Sequence, residues 1–257
     1  MKRTLLFSLA ILCAIASRAA IHTETIEYKQ GDTTLEGFVA YDDAVKTPCP
    51  GVLIVHQWKG LTAYEQKRAE MLAKLGYVAF CVDIYGKGVR PTTPQEAGAE
   101  AGKYKKNRTL LRERVNAGLE IFRKQSVVDP KRIAAIGYCF GGTTVIELAR
   151  SGADIVGVVS FHGGLDSPKP EDGKNIKCKV LACHGADDPF VAAKDLEAFE
   201  SEMREAGVDW RLVKYGGAVH SFTDWKADGV MKGAKYDEKA DERSWEDMKS
   251  FFAEILK

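Results

Sequence analysis

Gly137-Tyr138-Cys139-Phe140-Gly141-Gly142 decides how this chain is read. The apolar stretch Arg132-Ile133-Ala134-Ala135-Ile136 precedes it, and Thr143-Thr144-Val145-Ile146-Glu147-Leu148-Ala149 follows with helical character. The order is strand, tight turn, helix, with a nucleophile-type residue at the centre of the turn. That is the arrangement of a G-x-S-x-G nucleophile elbow, with cysteine where serine is usual. Glycines suit the turn because its backbone is strained and side chains would crowd it. The pattern predicts a hydrolase, and it directs the search to a base, an acid and donors for an oxyanion.

Working outward, residues 51–55 and 77–84 are continuous apolar runs, as expected of strands buried on both faces. Residues 155–161, 179–184 and 211–215 read as further strands. Residues 25–29 and 35–41 alternate in polarity around Gln30-Gly31-Asp32 and predict an antiparallel pair. Thr62-Ala63-Tyr64-Glu65 is a capping-box pattern opening a helix to Leu75, with Gly76 placed to end it. Helical stretches follow over 94–105, 109–125, 192–206 and 241–256. The sum is an α/β fold: one domain over 20–257, with an initial antiparallel strand pair. The rest is a mostly parallel twisted sheet, about eight strands in all, with helices on both faces.

The first 19 residues differ from the rest. Lys2 and Arg3 precede an apolar run from Leu5 to Ala16, then Ser17-Arg18-Ala19. A basic start, a short apolar middle and small residues at the end predict a signal peptide cleaved after Ala19 and a periplasmic or secreted product. The run is too short for stable membrane insertion. Of 257 residues 45% are hydrophobic, enough for a sizeable core, and the net charge of +1 gives no reason to expect nucleic acid as a partner. Five cysteines follow the leader, an odd number for an exported chain, so at least one thiol is expected to stay free. No Cys/His spacing suggests a metal, and no cofactor motif is present.

In a doubly wound sheet the functional groups sit beyond the carboxyl ends of the strands. Cys139 follows the strand ending at Ile136, Asp187 and Asp188 follow the one ending at His184, and His220 follows the one ending at Tyr215. The order nucleophile, acid, base is that of α/β-hydrolases. His56, His162 and His184 each end an apolar strand near a glycine and are candidates to line the site. Only His220 follows both nucleophile and acid. Asp188, three residues after Gly185, is the expected acid that orients the imidazole. Asp187 is expected to structure the loop. One oxyanion donor is the Phe140 amide. The second comes from the loop after residue 55, so from Gln57 or Trp58, of which Trp58 is taken. The helix N-terminus and the histidine should both lower the Cys139 thiol.

These stretches resemble the dienelactone hydrolase family. The likeness rests on His56-Gln57-Trp58-Lys59-Gly60-Leu61, Asp83-Ile84-Tyr85-Gly86 and Asp129-Pro130-Lys131-Arg132-Ile133. It rests further on the Cys139 turn, the Asp188 loop and His220-Ser221-Phe222. The resemblance implies a single-domain α/β-hydrolase with a Cys–His–Asp triad, cleaving small-molecule esters or lactones without metal or cofactor. Two positions depart from the family. Gln57 stands where well-known members carry a glutamate that contacts the resting thiol. Around Asp224 the substrate-binding arginine expected after the His-Ser-Phe motif is replaced. Lys87 and Arg90, with Gln57, are then the expected substrate-binding residues. The same departures also fit a second reading, a binding module that keeps the fold without turnover.

Overall fold

The computed structural model describes residues 20–44 and 48–257, so the expected leader lies outside the described residues. The strands are β1 (Ile21–Gln30), β2 (Thr33–Asp42), β3 (Cys49–Val55), β4 (Val78–Val82), β5 (Val128–Tyr138), β6 (Gly157–Phe161), β7 (Lys179–Gly185) and β8 (Trp210–Tyr215). They form one sheet in the order β1-β2-β4-β3-β5-β6-β7-β8. The β1–β2 and β2–β4 pairings are antiparallel, and every pairing from β4 to β8 is parallel.

Among the described residues six α-helices cover the sheet: α1 (Ala63–Ala73), α2 (Pro94–Lys106), α3 (Arg108–Arg123), α4 (Phe140–Arg150), α5 (Ala193–Glu205) and α6 (Glu238–Ile255). The period-two geometry of a strand explains how the apolar runs serve two layers. In β3, Leu53 and Val55 join the core beneath α3, α4 and α5. Val52 and Ile54 join the core beneath α1 and α6. Full burial of each such side chain stabilises the fold by roughly 1.5–3 kcal/mol.

Local signals set the helix ends. Thr62 caps α1, and the Glu65 carboxylate returns the bond to the Thr62 amide at 2.8 Å. The last helix begins three residues before its expected start because the Asp237 side chain accepts from the Ala240 amide at 2.9 Å. Asp129-Pro130 lies inside β5. There Val128 and Asp129 pair with Cys49 and Pro50 before the register shifts at Pro50/Gly51. Cys81, Cys178 and Cys183 are buried thiols and form no disulfide. Among the described residues no helix is long and apolar enough to cross a membrane.

Candidate active site

Between β5 and α4 the chain turns at Cys139, whose φ is 55°. Among the described residues only Cys139, His162 and Ser221 have positive φ without being glycine. All three lie beyond the carboxyl ends of β5, β6 and β8, at one edge of the sheet. Each such conformation costs on the order of 1–3 kcal/mol and persists where the surroundings over-determine it. The flanking glycines are required by contact. A Cβ on Gly141 would lie 2.2 Å from the Val55 carbonyl oxygen, and one on Gly137 2.0 Å from that of Gly141.

The turn aims Cys139 at His220. The Sγ–Nε2 distance is 3.0 Å, and His220 Nδ1 lies 2.8 Å from Asp188 Oδ2. Asp188 is buried, and its other oxygen accepts from the Phe190 amide at 2.8 Å. Asp187 is exposed. Burial alone would raise the Cys139 thiol, but His220 outweighs it and holds the thiol below its usual range, helped by Lys105 on α2 and the Phe140 amide. Burial likewise opposes charge on His220, yet the Cys139 thiolate and Asp188 raise the imidazole to about 10. Both shifts favour charge on the pair, a lowered thiol beside a raised imidazole.

One backbone amide is bonded to the sulfur. The Phe140 N–H, first in α4, hydrogen-bonds the sulfur. In the loop after β3, Gln57 and Trp58 differ. The Gln57 amide donates to Glu65 Oε1 at 3.1 Å and is spent. Among the described residues the Trp58 amide has no acceptor, while its carbonyl accepts from the Tyr85 hydroxyl at 3.0 Å. Glu65, the buried carboxylate of the capping box, therefore shapes this loop. Burial raises its carboxyl despite the donors around it.

Of the remaining strand-end histidines, His56 is tied into the scaffold. His56 Nε2 accepts from the Ile84 amide at 3.2 Å, so its Nδ1–H donates to the Gln57 carbonyl at 2.6 Å. Burial brings His56 down to about 4, which keeps it neutral. Burial lowers His184, against the effect of nearby Asp188.

The sequence profile of the dienelactone hydrolase family matches residues 35–256. The chain belongs to the dienelactone hydrolase family. A solved structure described as m3DLH is 38% identical, with a TM-score of 0.90, covering 93% of this chain and all of that one. A dienelactone hydrolase-like promiscuous phosphotriesterase from metagenomic libraries is 37% identical, with a TM-score of 0.89 and the same coverage. A probable 2-oxo-3-(5-oxofuran-2-ylidene)propanoate lactonase of Bradyrhizobium sp. is 28% identical over 214 residues, 78% of this chain and 86% of that one. These relatives place the chain among hydrolases with the α/β-hydrolase fold.

Against that family frame the expected substrate-binding residues separate. Gln57 lines a cavity of about 350 Å³ together with Trp58, Tyr64, Ser221, Asp224 and Met231. Its Nε2 donates to Asp224 Oδ2 at 3.2 Å, so the two departures from the family are hydrogen-bonded to each other. Lys87 is not brought to this dienelactone hydrolase family site. Its ammonium pairs with Glu27 and Glu36 on the β1–β2 hairpin. Nor does Arg90 reach the cavity lining. Its guanidinium bonds the Val89 carbonyl at 2.8 Å and lies 3.8 Å from Asp83. The cation that does act on Cys139 is Lys105, which no local motif marks. Phe190, 55% exposed, stands edge-on to the His220 ring at 5.3 Å.

Proposed function

We propose that this family member hydrolyses small uncharged carboxylic esters or lactones through a thioester on Cys139. The thiolate attacks the carbonyl carbon, and the Phe140 and Trp58 amides hold the resulting oxyanion. The carbon–oxygen bond then breaks, and the His220 imidazolium gives its proton to the leaving alkoxide. Water attacks the thioester, His220 takes the water's proton, and the thiolate departs. Asp188 keeps the imidazole oriented throughout. The observation that carries this reading is the pair of contacts, 3.0 Å from Cys139 to His220 and 2.8 Å from His220 to Asp188.

The substrate class is argued from the residues around the pair. Asp224 in the cavity beside Gln57 would repel a substrate carboxylate, Lys87 and Arg90 are engaged elsewhere, and Met231 in that cavity and Phe190 beside His220 offer apolar contact. The protein is exported, and the mature chain begins at Ala20. The Bradyrhizobium relative's description favours lactones, and the 37% identical relative's description puts aryl phosphotriesters on the test panel. The experiment is turnover of aryl esters, lactones and phosphotriesters by residues 20–257 and by Cys139→Ala, with mass spectrometry of the quenched protein. An acyl adduct on Cys139 and loss of turnover in the variant are expected. Equal turnover by both proteins would remove Cys139 from the mechanism. A Cys139 unreactive towards a thiol reagent, with no turnover of any ester, would favour the binding-module reading.

A further inference from the structure

Behind the nucleophile lies a buried polar chain that the proposed reaction does not use. The Cys139 amide donates to the Phe161 carbonyl at 3.0 Å and to His162 Nδ1 at 3.1 Å. His162 Nε2 lies 2.8 Å from Thr223 Oγ1, and Thr223 Oγ1 lies 2.8 Å from the Tyr64 hydroxyl. The Tyr64 oxygen receives Arg68 Nε–H at 3.2 Å, and Tyr64 donates to the Thr223 carbonyl at 3.1 Å. Arg68 ends the chain on Asp241 at 2.6 Å, beneath the Trp225 ring at 4.3 Å. His162, Thr223 and Arg68 are all buried.

We propose that Thr223 and His162 are positioning residues for the nucleophile: the Thr223 hydroxyl fixes His162 as the neutral Nε2–H form, and its bare Nδ1 holds the Cys139 amide.

Proton accounting gives the direction. Nδ1 faces an N–H and must be unprotonated, so Nε2 carries the proton and donates to Thr223. Thr223 then passes its own proton to the Tyr64 oxygen, the one acceptor left within reach, and every hydrogen is used once. A charged or Nδ1–H ring would set a second donor against the Cys139 amide, at a turn held at φ 55°. The surroundings also exclude charge. The His220 ring lies 5.2 Å away between centroids, and His184 and Arg68 face the same ring. Burial, followed by these charges, pushes His162 well below its usual range. His162 itself sits at φ 41°, the second strained residue of the site.

The chain has a further consequence. Thr223 stands three residues after His220, so the loop that carries the base is bonded to the amide of the nucleophile. The distance between Sγ and Nε2 is therefore set from behind as well as by the two side chains.

This inference rests on Cys139 being the reactive group, and its test reads the thiol apart from turnover. Ring-¹⁵N spectra are recorded on residues 20–257 from pH 5 to 9, for wild type, Thr223→Val and Thr223→Ser, with His162→Gln to assign the signals. Iodoacetamide alkylation of Cys139 is followed over the same range, with kcat and KM on one ester. Wild-type His162 should show a protonated Nε2, a bare Nδ1 and no titration. Thr223→Val should mix the tautomers, raise the apparent thiol pKa and cut both alkylation and kcat about tenfold, with KM within twofold. Thr223→Ser should restore all of these. A charged or Nδ1–H His162 in the wild-type protein overturns the proposal, whatever the variants' folding. An unmoved alkylation profile in Thr223→Val, or failure of Thr223→Ser to rescue, also overturns it. If no ester is turned over while tautomer and thiol respond as stated, the hydrolase mechanism falls and the positioning role stands.

Discussion

Replacing Asp188 by asparagine asks how much the acid contributes to the thiolate–imidazolium pair. Asp188 is approached by two donors, His220 Nδ1–H and the Phe190 amide, each at 2.8 Å from a different oxygen. Asparagine has one acceptor side, so one donor must face an NH₂ group. If the amide oxygen keeps Phe190, the NH₂ meets Nδ1 and drives the ring's proton to Nε2, against Cys139. A charge-assisted bond of this kind stabilises the charged partner by about 1.5–3 kcal/mol. At about 1.4 kcal/mol per pKa unit, His220 should fall by one to two units. The sign follows from the active form. The ion pair exists above the lowered Cys139 pKa and below the His220 value of about 10, so activity should rise with pH through the first and fall through the second. In Asp188→Asn the alkaline limb should move down to about 8–9, and kcat/KM near pH 7.5 should drop roughly ten- to a hundredfold. The assay is kcat/KM on an aryl ester from pH 5 to 11, alongside Asp187→Asn as control. An alkaline limb unmoved in Asp188→Asn, with kcat/KM within twofold of wild type, would refute the assignment. So would a loss confined to Asp187→Asn.

Further outcomes follow from other contacts. Asp241→Ala leaves the buried Arg68 guanidinium without its carboxylate, a loss of about 3–5 kcal/mol; thermal melting should fall by on the order of 10 °C. Gly141→Ala drives a Cβ into the Val55 carbonyl and should abolish soluble folded protein or activity, read by circular dichroism and ester turnover. Asp224→Arg should improve kcat/KM for an anionic ester relative to its neutral analogue, and an unchanged ratio would contradict the charge argument at the cavity. N-terminal sequencing of the exported product should start at Ala20, and an intact Met1 terminus would show an uncleaved leader.

Much of this was legible because it is local. The Cys139 turn announces itself through glycines whose absent side chains let α4 pack on β3. The Thr62–Glu65 capping box gave the start of α1, and apolar runs gave the parallel strands. Of the two neighbouring acids, Asp188 is buried and Asp187 exposed. What sequence could not supply depends on which distant segments meet. Lys87 and Arg90 sit in the right loop, yet that loop folds towards the β1–β2 hairpin, where Glu27 and Glu36 claim the lysine. Lys105 acts on the thiol from a helix face without any motif. No sequence signal shows that Glu65 occupies the Gln57 amide. His162 could be noticed as a strand-end histidine, but Thr223, 61 residues away, carries no signal that it would meet that ring.

The central claim is that Cys139 becomes acylated and His220 releases it. The most direct measurement is rapid-quench mass spectrometry of residues 20–257 mixed with an activated aryl ester. A transient mass increase equal to the acyl group, mapped to the peptide containing Cys139, should appear in wild type. It should persist in His220→Ala, where acylation is slow and water is not activated. No adduct on that peptide during active turnover, or an adduct mapped to another residue, would contradict the account.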